Sequence, residues 1–420
     1  MARITVGMTG AQFIDAINNI DASDSYNEKV YNVKYYGAKA DGITDDTVAI
    51  QTAINACFAA GGGTVYFPNG IYIIAGALNG TVNGVFYNSQ IYIPAYTTSD
   101  KTNRPTIILR GESISYGWNM SDFAADYFES SDCGVILKST IAGTGIRPSV
   151  ICSNGPNFGW ALYNYTDCQI YNIAVVVDAF EDGDGPSMCG INFIGGYSSR
   201  IDNVACCVDI SNMANSVAPV SHVFGFAIGC VNGEFISIGT LFTSGFYYGT
   251  MLGEGVNVNL LCSMHNYIGI HCLHTWYGST INYAMLHWNT YAIASQQEAF
   301  GGKLVVGISD FKFNYVAIER NLVSDPGWEH FVDAILDVDN NLYGTMDYYM
   351  SAIGGGDAIG DDITKGSGGT NLLIRNRYKS SMYHWETATR PSDPGMGCMG
   401  YNTTTNKLEA WNGTQWSDLF

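Results

Sequence analysis

Two glutamates of this chain are the last residues of two repeats with the same sequence pattern, and they could form a catalytic pair. Residues 225–234 (GFAIGCVNGE) and 245–254 (GFYYGTMLGE) share the pattern G-F-x-x-G-x-x-x-G-E, which places Glu234 and Glu254 at equivalent ends. If each repeat is one turn of a β-solenoid, the turns lie about 4.8 Å apart and the carboxylates stack on one face. Carboxylates that close repel each other, so one pKa rises while the other stays low, as an acid and a nucleophile or base of a glycoside hydrolase require.

The same pair has two other interpretations. A hard cation such as calcium prefers carboxylate oxygens and could be held by both glutamates. Two glutamates at solvated turns, whose repulsion is screened by water, need no function at all. The sequence leaves catalysis, calcium binding and a structural role open for Glu234 and Glu254, and it assigns no metal ligand.

A second acidic cluster follows the apolar run Ile173–Val177. The segment DAFEDGDG at 178–185 holds four acids and two glycines, and we single out Asp178 and Asp182 as further acid/base candidates. A glycine-containing acidic loop could also bind calcium, and surface loops are often acidic without a specific role. We expect this cluster to lie where a strand leaves the solenoid for a loop.

Aromatic and histidine side chains are concentrated in the region that follows the glutamates. Aromatic rings in a groove would stack on the C–H edges of sugars, although most aromatics of a solenoid pack in its core. Four histidines fall within 23 residues without a complementary set of cysteine or acidic ligands at zinc-like spacing, so histidines of the core or of a groove are favoured over a metal site. The side chains that we predict to contact a ligand are Tyr248, Trp276, Trp288, His271 and His274.

The charge of the chain excludes some partners. A net charge of −19 argues against nucleic acid and anionic membrane surfaces, because both need a basic footprint. Arg200 is the only lysine or arginine between Pro148 and Gly302, so a strongly acidic glycan would need a local basic patch. No run of about 20 apolar residues predicts membrane insertion, and the start MARITVGMTGAQFIDAI lacks the apolar core of a signal peptide.

The eleven cysteines are scattered singly or in the adjacent pair Cys206-Cys207, without the CxxC spacing of a metal site. Most lie in apolar, strand-like runs, which predicts buried reduced thiols that pack as small hydrophobic side chains. Reduced thiols fit assembly in a reducing cytosol better than export through an oxidising compartment.

The elements that position these residues are indicated by further repeats. Looser copies of the glycine frame begin at Gly190 and Gly269, and the longer interval between 190 and 225 leaves room for a loop at about 211–222. A period of 20–24 residues with β-branched runs and glycine or asparagine corners is typical of a β-helix. A second register of stacked aliphatic residues is predicted for Ile201, Ile236, Val258 and Ile281.

The stretch from Tyr36 to Ile74 carries the most specific pattern. Residues 44–46 (TDD) offer N-cap oxygens and negative charge to a short helix, whose apolar stripe falls at 50, 53, 54 and 57. Gly61–Gly63 end this helix, and Thr64–Phe67 alternates as a strand. The arrangement closely resembles the opening of the pectate-lyase-like family of right-handed parallel β-helices, which includes many phage tailspikes.

The resemblance implies an all-β fold class: a right-handed parallel β-helix with a short N-terminal capping α-helix and a small C-terminal β module. The family includes lyases, hydrolases and proteins without activity, and this chain matches neither the calcium, aspartate and basic-residue set of its lyases nor the paired-aspartate patterns of polygalacturonases. No catalytic position is therefore carried over. A hydrolase is expected before a lyase, and no cofactor is required, although calcium could bind.

Four segments are predicted along the chain. They are an N-terminal attachment or cap segment at 1–30, the β-helix at 31–350, a glycine-rich linker with a strand at 351–389, and a β-hairpin module at 390–420. The last segment resembles hairpin modules that end many phage tail and fibre proteins. Asn412-Gly413 predicts its turn, with Trp411 and Trp416 facing each other across it.

These patterns predict a phage tailspike-like protein that binds a host cell-surface polysaccharide and, as an enzyme, hydrolyses it. The small C-terminal module cannot bury enough surface alone, which favours a homotrimer or docking onto the solenoid. We assign attachment to other virion proteins to the N-terminus and expect assembly in the host cytoplasm. The alternative is a non-catalytic receptor-binding or structural fibre or decoration protein of a virion, in which Glu234 and Glu254 are ordinary turn residues.

Overall fold

The computed structural model covers the chain in separate stretches. The described residues are 9, 29–76, 89–94, 106–115, 134–141, 149–153, 167–177, 180–181, 184–186, 188–193, 196–197, 199–208, 223–228, 233–234, 236–273, 278–287, 289, 291–295, 299–300, 303–304, 309–321, 334–338, 342–353, 364–365, 370–376, 383–385, 387–389, 399–412 and 414–419. The predicted loop at 211–222 and nearly all of the N-terminal segment lie outside them.

Strands dominate these residues. In chain order they are β1 (Val30–Asn32), β2 (Asp41–Asp45), β3 (Gly63–Phe67), β4 (Gly70–Ile74), β5 (Ser89–Ile93), β6 (Thr106–Gly111), β7 (Val135–Ser139), β8 (Ser149–Ser153), β9 (Asp167–Val177), β10 (Phe180–Glu181), β11 (Asp184–Pro186), β12 (Cys189–Phe193), β13 (Gly196–Tyr197), β14 (Arg200–Val208), β15 (Phe224–Ile228) and β16 (Gly233–Glu234). They continue with β17 (Ile236–Ser244), β18 (Tyr248–Leu252), β19 (Val256–Met264), β20 (Ile268–Cys272), β21 (Ser279–His287), β22 (Tyr291–Ser295), β23 (Ala299–Phe300), β24 (Lys303–Leu304), β25 (Ser309–Asn321), β26 (Ala334–Val338), β27 (Leu342–Ile353), β28 (Thr364–Lys365), β29 (Thr370–Asn376), β30 (Tyr383–Trp385), β31 (Met399–Asn402), β32 (Lys407–Trp411) and β33 (Trp416–Asp418). The helix α1 spans Thr47–Ala59, and 3₁₀ turns cover Val33–Tyr36 and Thr387–Thr389.

The fold is a right-handed parallel β-helix, which confirms the predicted class. One sheet has 14 strands. Its long strand β9 pairs with β6 through its first half and with β7 through its second half, and β14, β17, β19, β21 and β25 follow β9 in the same sheet. We call the half that continues β3 and β6 the first face and the half that continues β4 and β7 the second face. The third face is the nine-stranded sheet from β5 to β28. Each coil of the solenoid crosses the three faces in turn.

Hydrophobic side chains of the first face stack inside the solenoid, one from each coil. The predicted register of Ile201, Val258 and Ile281 is confirmed, but Ile238 and not Ile236 lies between the first two, because Ile236 pairs with Val256. The members of this stack are all buried, and they are Val65, Leu109, Ile170, Ile201, Ile238, Val258, Ile281 and Phe313.

The glycine repeat is only partly aligned as predicted. On the third face Gly190 neighbours Gly225 and Gly249 neighbours Gly269, but β15 pairs with β18 so that Phe226 lies opposite Thr250. The repeat predicts Gly245 opposite Gly225, but Gly249 occupies that position, and Gly245 lies four residues earlier in a corner. The reason is the next corner, which takes seven residues between β15 and β17 and only three between β18 and β19.

Buried amides build one corner of the central coils, between the second and third faces. The side-chain oxygen of Asn266 accepts the backbone N–H of Phe246 at 2.9 Å, and that of Asn289 accepts the N–H of Asn266 at 2.9 Å. The Asn266 amide also donates to the Ser263 hydroxyl at 2.9 Å, and Thr243 donates to the same hydroxyl at 3.0 Å. Polar groups inside the solenoid are thus satisfied from one coil to the next.

A different amide pair forms the bend between the first and second faces. Asn172 and Asn203 both adopt φ of +56°, a left-handed conformation that asparagine tolerates better than most residues. The Asn203 amide donates to the Asn172 side-chain oxygen at 2.9 Å, and Asn172 donates to the Gly111 carbonyl at 3.2 Å. Asparagines therefore form the bend of the coils that contain β9 and β14 and the corner that follows β19 and β21.

The helix α1 packs on the first coils with the predicted stripe of Ile50, Ala53, Ile54 and Cys57, all buried. Its capping differs from the prediction in detail. Asp45 accepts the Thr47 amide at 3.0 Å, whereas the buried Asp46 carboxylate accepts the amides of Lys39 and Ala40 and ties down the preceding turn instead. Burial raises the pKa of Asp46, while those two amides act against the shift.

The C-terminal hairpin is confirmed. Trp411 pairs with Trp416, their ring centroids lie 5.6 Å apart, and the Asn412 side chain accepts the amides of Thr414 and Gln415. The solenoid itself extends beyond the predicted boundary at 350, because β29 pairs with β27 along Thr370–Asn376.

Two further observations concern covalent and membrane chemistry. The eight cysteines among the described residues are all free and buried, as predicted. Burial raises the pKa of the Cys57 thiol to about 12, which keeps it protonated and unreactive. Across the described stretches, no helix has the length and apolar character needed to cross a membrane.

We expect Asn266→Ala to destabilise the solenoid. The substitution removes the acceptor of the Phe246 amide and a donor to Ser263 in a buried corner, where each unsatisfied polar group costs about 1–3 kcal/mol. The urea midpoint of unfolding, followed by circular dichroism, should fall clearly. Asn257→Ala, at an exposed position, is the control and should change stability by less than about 0.5 kcal/mol. Equal effects of the two substitutions would contradict the structural role of the corner.

Candidate functional site

The two glutamates lie in successive coils, each two residues before a strand of the first face. Glu234 ends the short strand β16, whose backbone pairs with Tyr197, and Glu254 lies in the turn after β18. The strands that follow pair Ile236 with Val256, so the two glutamates precede neighbouring positions of adjacent coils. The described side chains do not include that of Glu234, and the stacking of the carboxylates stays a prediction.

The second acidic cluster borders a small antiparallel pair. β10 and β11 place Glu181 opposite Asp184, directly after the long strand β9, where the sequence predicts a strand exit. Asp178 and Asp182 lie outside the described residues. Among the residues that the structure does describe, no three His, Cys, Asp or Glu side chains are grouped as metal ligands would be.

Two of the predicted ligand contacts lie in the interior. Tyr248 is 2% exposed and His271 is completely buried, and their rings stack at 4.7 Å with an angle of 15° between the planes. Their burial argues against direct contact with a polysaccharide and corrects the prediction of an exposed aromatic platform. His274, Trp276 and Trp288 lie outside the described residues. The aromatic enrichment of this region thus reflects core and corner packing, at least for Tyr248.

The histidines at 265 and 287 belong to adjacent coils, as their spacing predicts. The His265 amide donates to the His287 carbonyl at 3.2 Å, and the backbone of His287 pairs with Met264 on one side and with Glu319 on the other. Burial lowers the pKa of His287 to about 4, so its imidazole is neutral at physiological pH. A neutral, 7% exposed ring on the second face is a packing element of the fold.

The first face presents a continuous polar surface that sequence reasoning missed. Its inward residues are mostly hydrophobic, and the alternate residues point outward in two rows that run along the solenoid axis. The row of paired positions in five consecutive coils is Gln169, Arg200, Ser237, Asn257 and Thr280. The row beside it contains Tyr66, Arg110, Tyr171 and Asp202.

Arg110, Tyr171 and Arg200 form the most distinctive group on this surface. The guanidinium carbon of Arg110 lies 5.3 Å from the centroid of the Tyr171 ring, within the range of a cation–π contact. The Tyr171 hydroxyl donates to the side-chain oxygen of Gln169 at 2.8 Å. Partial burial raises the pKa of Tyr171, the positive charges of Arg200 and Arg110 act in the opposite direction, and the negative charge of Asp202 adds to the rise.

This group could not be found from local sequence. Arg110 and Tyr171 are 61 residues apart and become neighbours only because β6 pairs with β9. The only signal was the alternation of aliphatic and polar residues in each strand, which assigns every second residue to the outside. Coil lengths are too unequal in this part of the chain for a fixed period to align the outward positions.

The start of the chain matches a known protein family. Residues 30–118 match the family model described as Rhamnogalacturonase A/epimerase, pectate lyase-like. This stretch holds α1 and the first coils, and it is pectate lyase-like, as the resemblance of its sequence indicates. Alginate lyase 7 of Azotobacter vinelandii is 52% identical over 63 residues, which are 15% of this chain and 7% of that protein. The chain thus spans only a small part of the curated relatives that it matches.

Solved structures resemble the chain over a greater length but at low identity. ORF18 of Geobacillus virus E2 aligns with 97% of this chain and 72% of its own, with 13% identity and a TM-score of 0.42. The phiAB6 tailspike, solved in complex with three-repeated oligosaccharides of Acinetobacter baumannii surface polysaccharide, aligns with 96% of this chain and 57% of its own, with 11% identity and a TM-score of 0.35. Similarity at this level says nothing about substrate.

We expect the imidazole of His287 to titrate far below an ordinary histidine. Its pKa is about 4 in the folded chain and about 6.5 when unfolded, so the fold binds the proton less well than the unfolded chain does. The resulting stability is fully present above about pH 6.5 and is lost as the pH falls towards 4. NMR titration of the histidine ring protons should show one resonance unchanged down to pH 5, and it should be absent in His287→Gln. A pKa near 6.5 would contradict its burial.

Proposed function

We propose that this protein is a tailspike-like virion protein that binds a host cell-surface polysaccharide. The observation that carries the binding function is the exposed polar surface of the first face, which continues without interruption through the central coils. A curated relative of part of the chain is named for its action on alginate, a polysaccharide, and this supports a carbohydrate ligand. A carbohydrate-binding or carbohydrate-degrading role agrees with the family match at the start of the solenoid.

The spacing of this surface suits an extended chain of sugars. Paired positions of neighbouring coils lie about 4.8 Å apart, so a linear glycan along the axis would meet a new polar side chain at each coil. Arg200, Ser237 and Asn257 are exposed in three successive coils, and they offer the donors and acceptors that sugar hydroxyls use. The two shortest intervals of the inward stack, 20 and 23 residues, fall in this region between Ile238, Val258 and Ile281. Few residues are left there for loops that would cover the surface.

The virion location rests on different features. The C-terminal hairpin with its paired tryptophans resembles modules that end phage tail and fibre proteins, and the free, buried thiols suit assembly in the reducing cytoplasm of a host. A homotrimer and attachment through the N-terminus complete this proposal. Light scattering of the purified chain, which gives its mass in solution, tests the trimer directly.

We expect Ser237→Trp to weaken polysaccharide binding at least tenfold. Ser237 is exposed in the middle of the first face, so an indole there should block a glycan that runs along the axis without disturbing the interior. Binding to a panel of bacterial surface polysaccharides is measured by biolayer interferometry. Thr405→Trp, at an exposed turn of the C-terminal hairpin, is the matched control and should bind as the native protein does. Equal binding by both variants would exclude the first face as the binding surface.

Hydrolysis of the bound glycan is the enzymatic part of the proposal. Glu234 and Glu254 precede the paired positions Ile236 and Val256 in adjacent coils, and this supports their roles as acid and as nucleophile or base. We expect the native protein to release fragments that are heavier by one water, detected by mass spectrometry. Glu234→Gln and Glu254→Gln should each slow this release by about 100-fold or more, because they remove a proton donor or a nucleophile.

Asp418→Asn, on the surface of the C-terminal hairpin, is the control for these variants and should leave fragment release unchanged. Unchanged release by both glutamine variants would contradict the catalytic assignment, and unsaturated fragments would indicate a lyase. Binding without any cleavage would support the alternative, a non-catalytic receptor-binding or structural protein.

A further inference from the structure

The outer side of α1 carries no charge. None of the thirteen residues of this helix is Asp, Glu, Lys or Arg. One stripe of the helix is buried on the first coils, and the opposite stripe faces solvent. The exposed residues of this outer stripe are Val48, Thr52, Asn55 and Ala59. A surface helix usually presents charged and strongly polar side chains to water, so an uncharged outer stripe that begins with valine favours contact with another element.

Exposed apolar side chains are concentrated at the same end of the solenoid. Among the described residues six large hydrophobic side chains are exposed, and four of these lie between positions 30 and 48. Ile43 is 85% exposed and Val48 is 74% exposed, and the other two are Val30 in β1 and Tyr35 in the 3₁₀ turn. Scattered single residues of this kind need no explanation, but a group at one end of the molecule indicates an interaction site.

We propose that this end of the solenoid binds residues 10–20 of the same chain. We call Tyr35, Ile43 and the outer stripe of α1 the cap surface. The residues that precede Lys29 lie outside the described stretches, with the exception of Thr9. The inference goes beyond the proposed function and does not depend on a glycan, because it concerns the end of the solenoid and not its first face.

The sequence of residues 10–20 suits the cap surface. Phe13, Ile17 and Ile20 recur at i, i+4 and i+7, which is the spacing of an apolar stripe on a helix. Thr9 and Gln12 precede this stripe with the spacing of a capping box. Asp15 is the only charged residue from 10 to 20. A short helix of this composition needs a surface on which to bury its stripe, because isolated helices of this length are marginal in water.

The chain enters the solenoid beside α1, so these residues can reach the cap surface. The Lys29 side chain donates to the Ala60 carbonyl at 2.7 Å, at the C-terminal end of the helix, and the Lys29 carbonyl accepts the Thr64 amide at 2.7 Å. Residues 21–28 span up to about 26 Å when they are extended. Because α1 is about 20 Å long, residues 10–20 can lie at any point along it.

The size of the cap surface favours a tethered segment over a second copy of the chain. The outer side of α1 is about 20 Å long and about 10 Å wide, which gives an area of about 200 Å². A stable interface between two proteins takes about 800 Å² from each partner. A segment of the same chain meets the surface at an effective concentration in the millimolar range, so a small contact is sufficient.

A photocrosslinker in the full chain identifies what the cap surface contacts. p-Benzoylphenylalanine is introduced in place of Val48, and ultraviolet light then joins it to the groups that it touches. We expect mass spectrometry of the digest to show position 48 linked to a peptide from residues 10–20, in a product with the mass of one chain. The control is the same substitution at Tyr283, which is 37% exposed and lies in β21, seven strands from β1 along the sheet. It should give no such link.

Two charged variants test the contact without a crosslinker. In I17D and V48E chymotrypsin should cleave after Phe13 at least ten times as fast as in the native protein, because a buried charge would oppose docking. A glutamate in the first turn of a helix is compatible with the helix dipole, so V48E leaves α1 itself intact. The matched control is N19D, which adds the same charge on the opposite side of the predicted helix and should be cleaved at the native rate.

Each alternative has its own result. A crosslinked product with the mass of two chains would overturn the proposal and show that the cap surface joins copies of the protein. A link from position 48 to residues outside 10–20 would assign the surface to another segment. Absence of any crosslink at position 48, together with native cleavage as fast as that of I17D, would show that residues 10–20 do not dock.

Discussion

The parallel hydrogen-bonded register between coils is the constraint on which the rest of this structure depends. Once Val65 pairs with Leu109 and Leu109 with Ile170, every other residue of those strands is fixed as inward or outward. A shift of one residue would move aliphatic side chains to the surface and polar ones into the core, which is why register is so strongly specified. The buried amides at the corners add side-chain hydrogen bonds to the same alignment, so that backbone and side chains specify one register together.

The sequence predicted what depends on local pattern. The stripe of α1, the tryptophan pair of the hairpin and the stacking of Val258 on Ile281 all follow from spacings shorter than one coil or equal to one loop-free coil. The glycine repeat was misaligned where two adjacent corners differ in length. A 20-residue period is correct for the pair β17 and β19 but not for the pair β15 and β18. The corner between the third and first faces is longer after β15 than after β18, and its extra residues change the spacing.

The candidate surface shows the same limit more clearly. Counting charges between 148 and 302 correctly found a single cation, Arg200, but Arg110 lies outside that window and becomes a neighbour of Tyr171 only through strand pairing. Burial was equally hard to foresee, since Tyr248 and His271 occur in an aromatic-rich stretch that could belong to a groove or to a core. Side-chain direction in a solenoid is decided by the register of the whole stack and not by composition.

The direction of the hydrogen bonds between coils has a mechanical consequence. These bonds lie along the length of the solenoid, so a tensile load applied end to end acts on the few bonds of the outermost coil first and would peel the coils off one at a time. Compression instead presses on the stacked side chains of the interior, and every paired position of this stack from Val65 to Phe313 is filled by a buried side chain. The molecule should therefore behave as a strut, stiff when pushed against a surface, with α1 protecting one end from peeling.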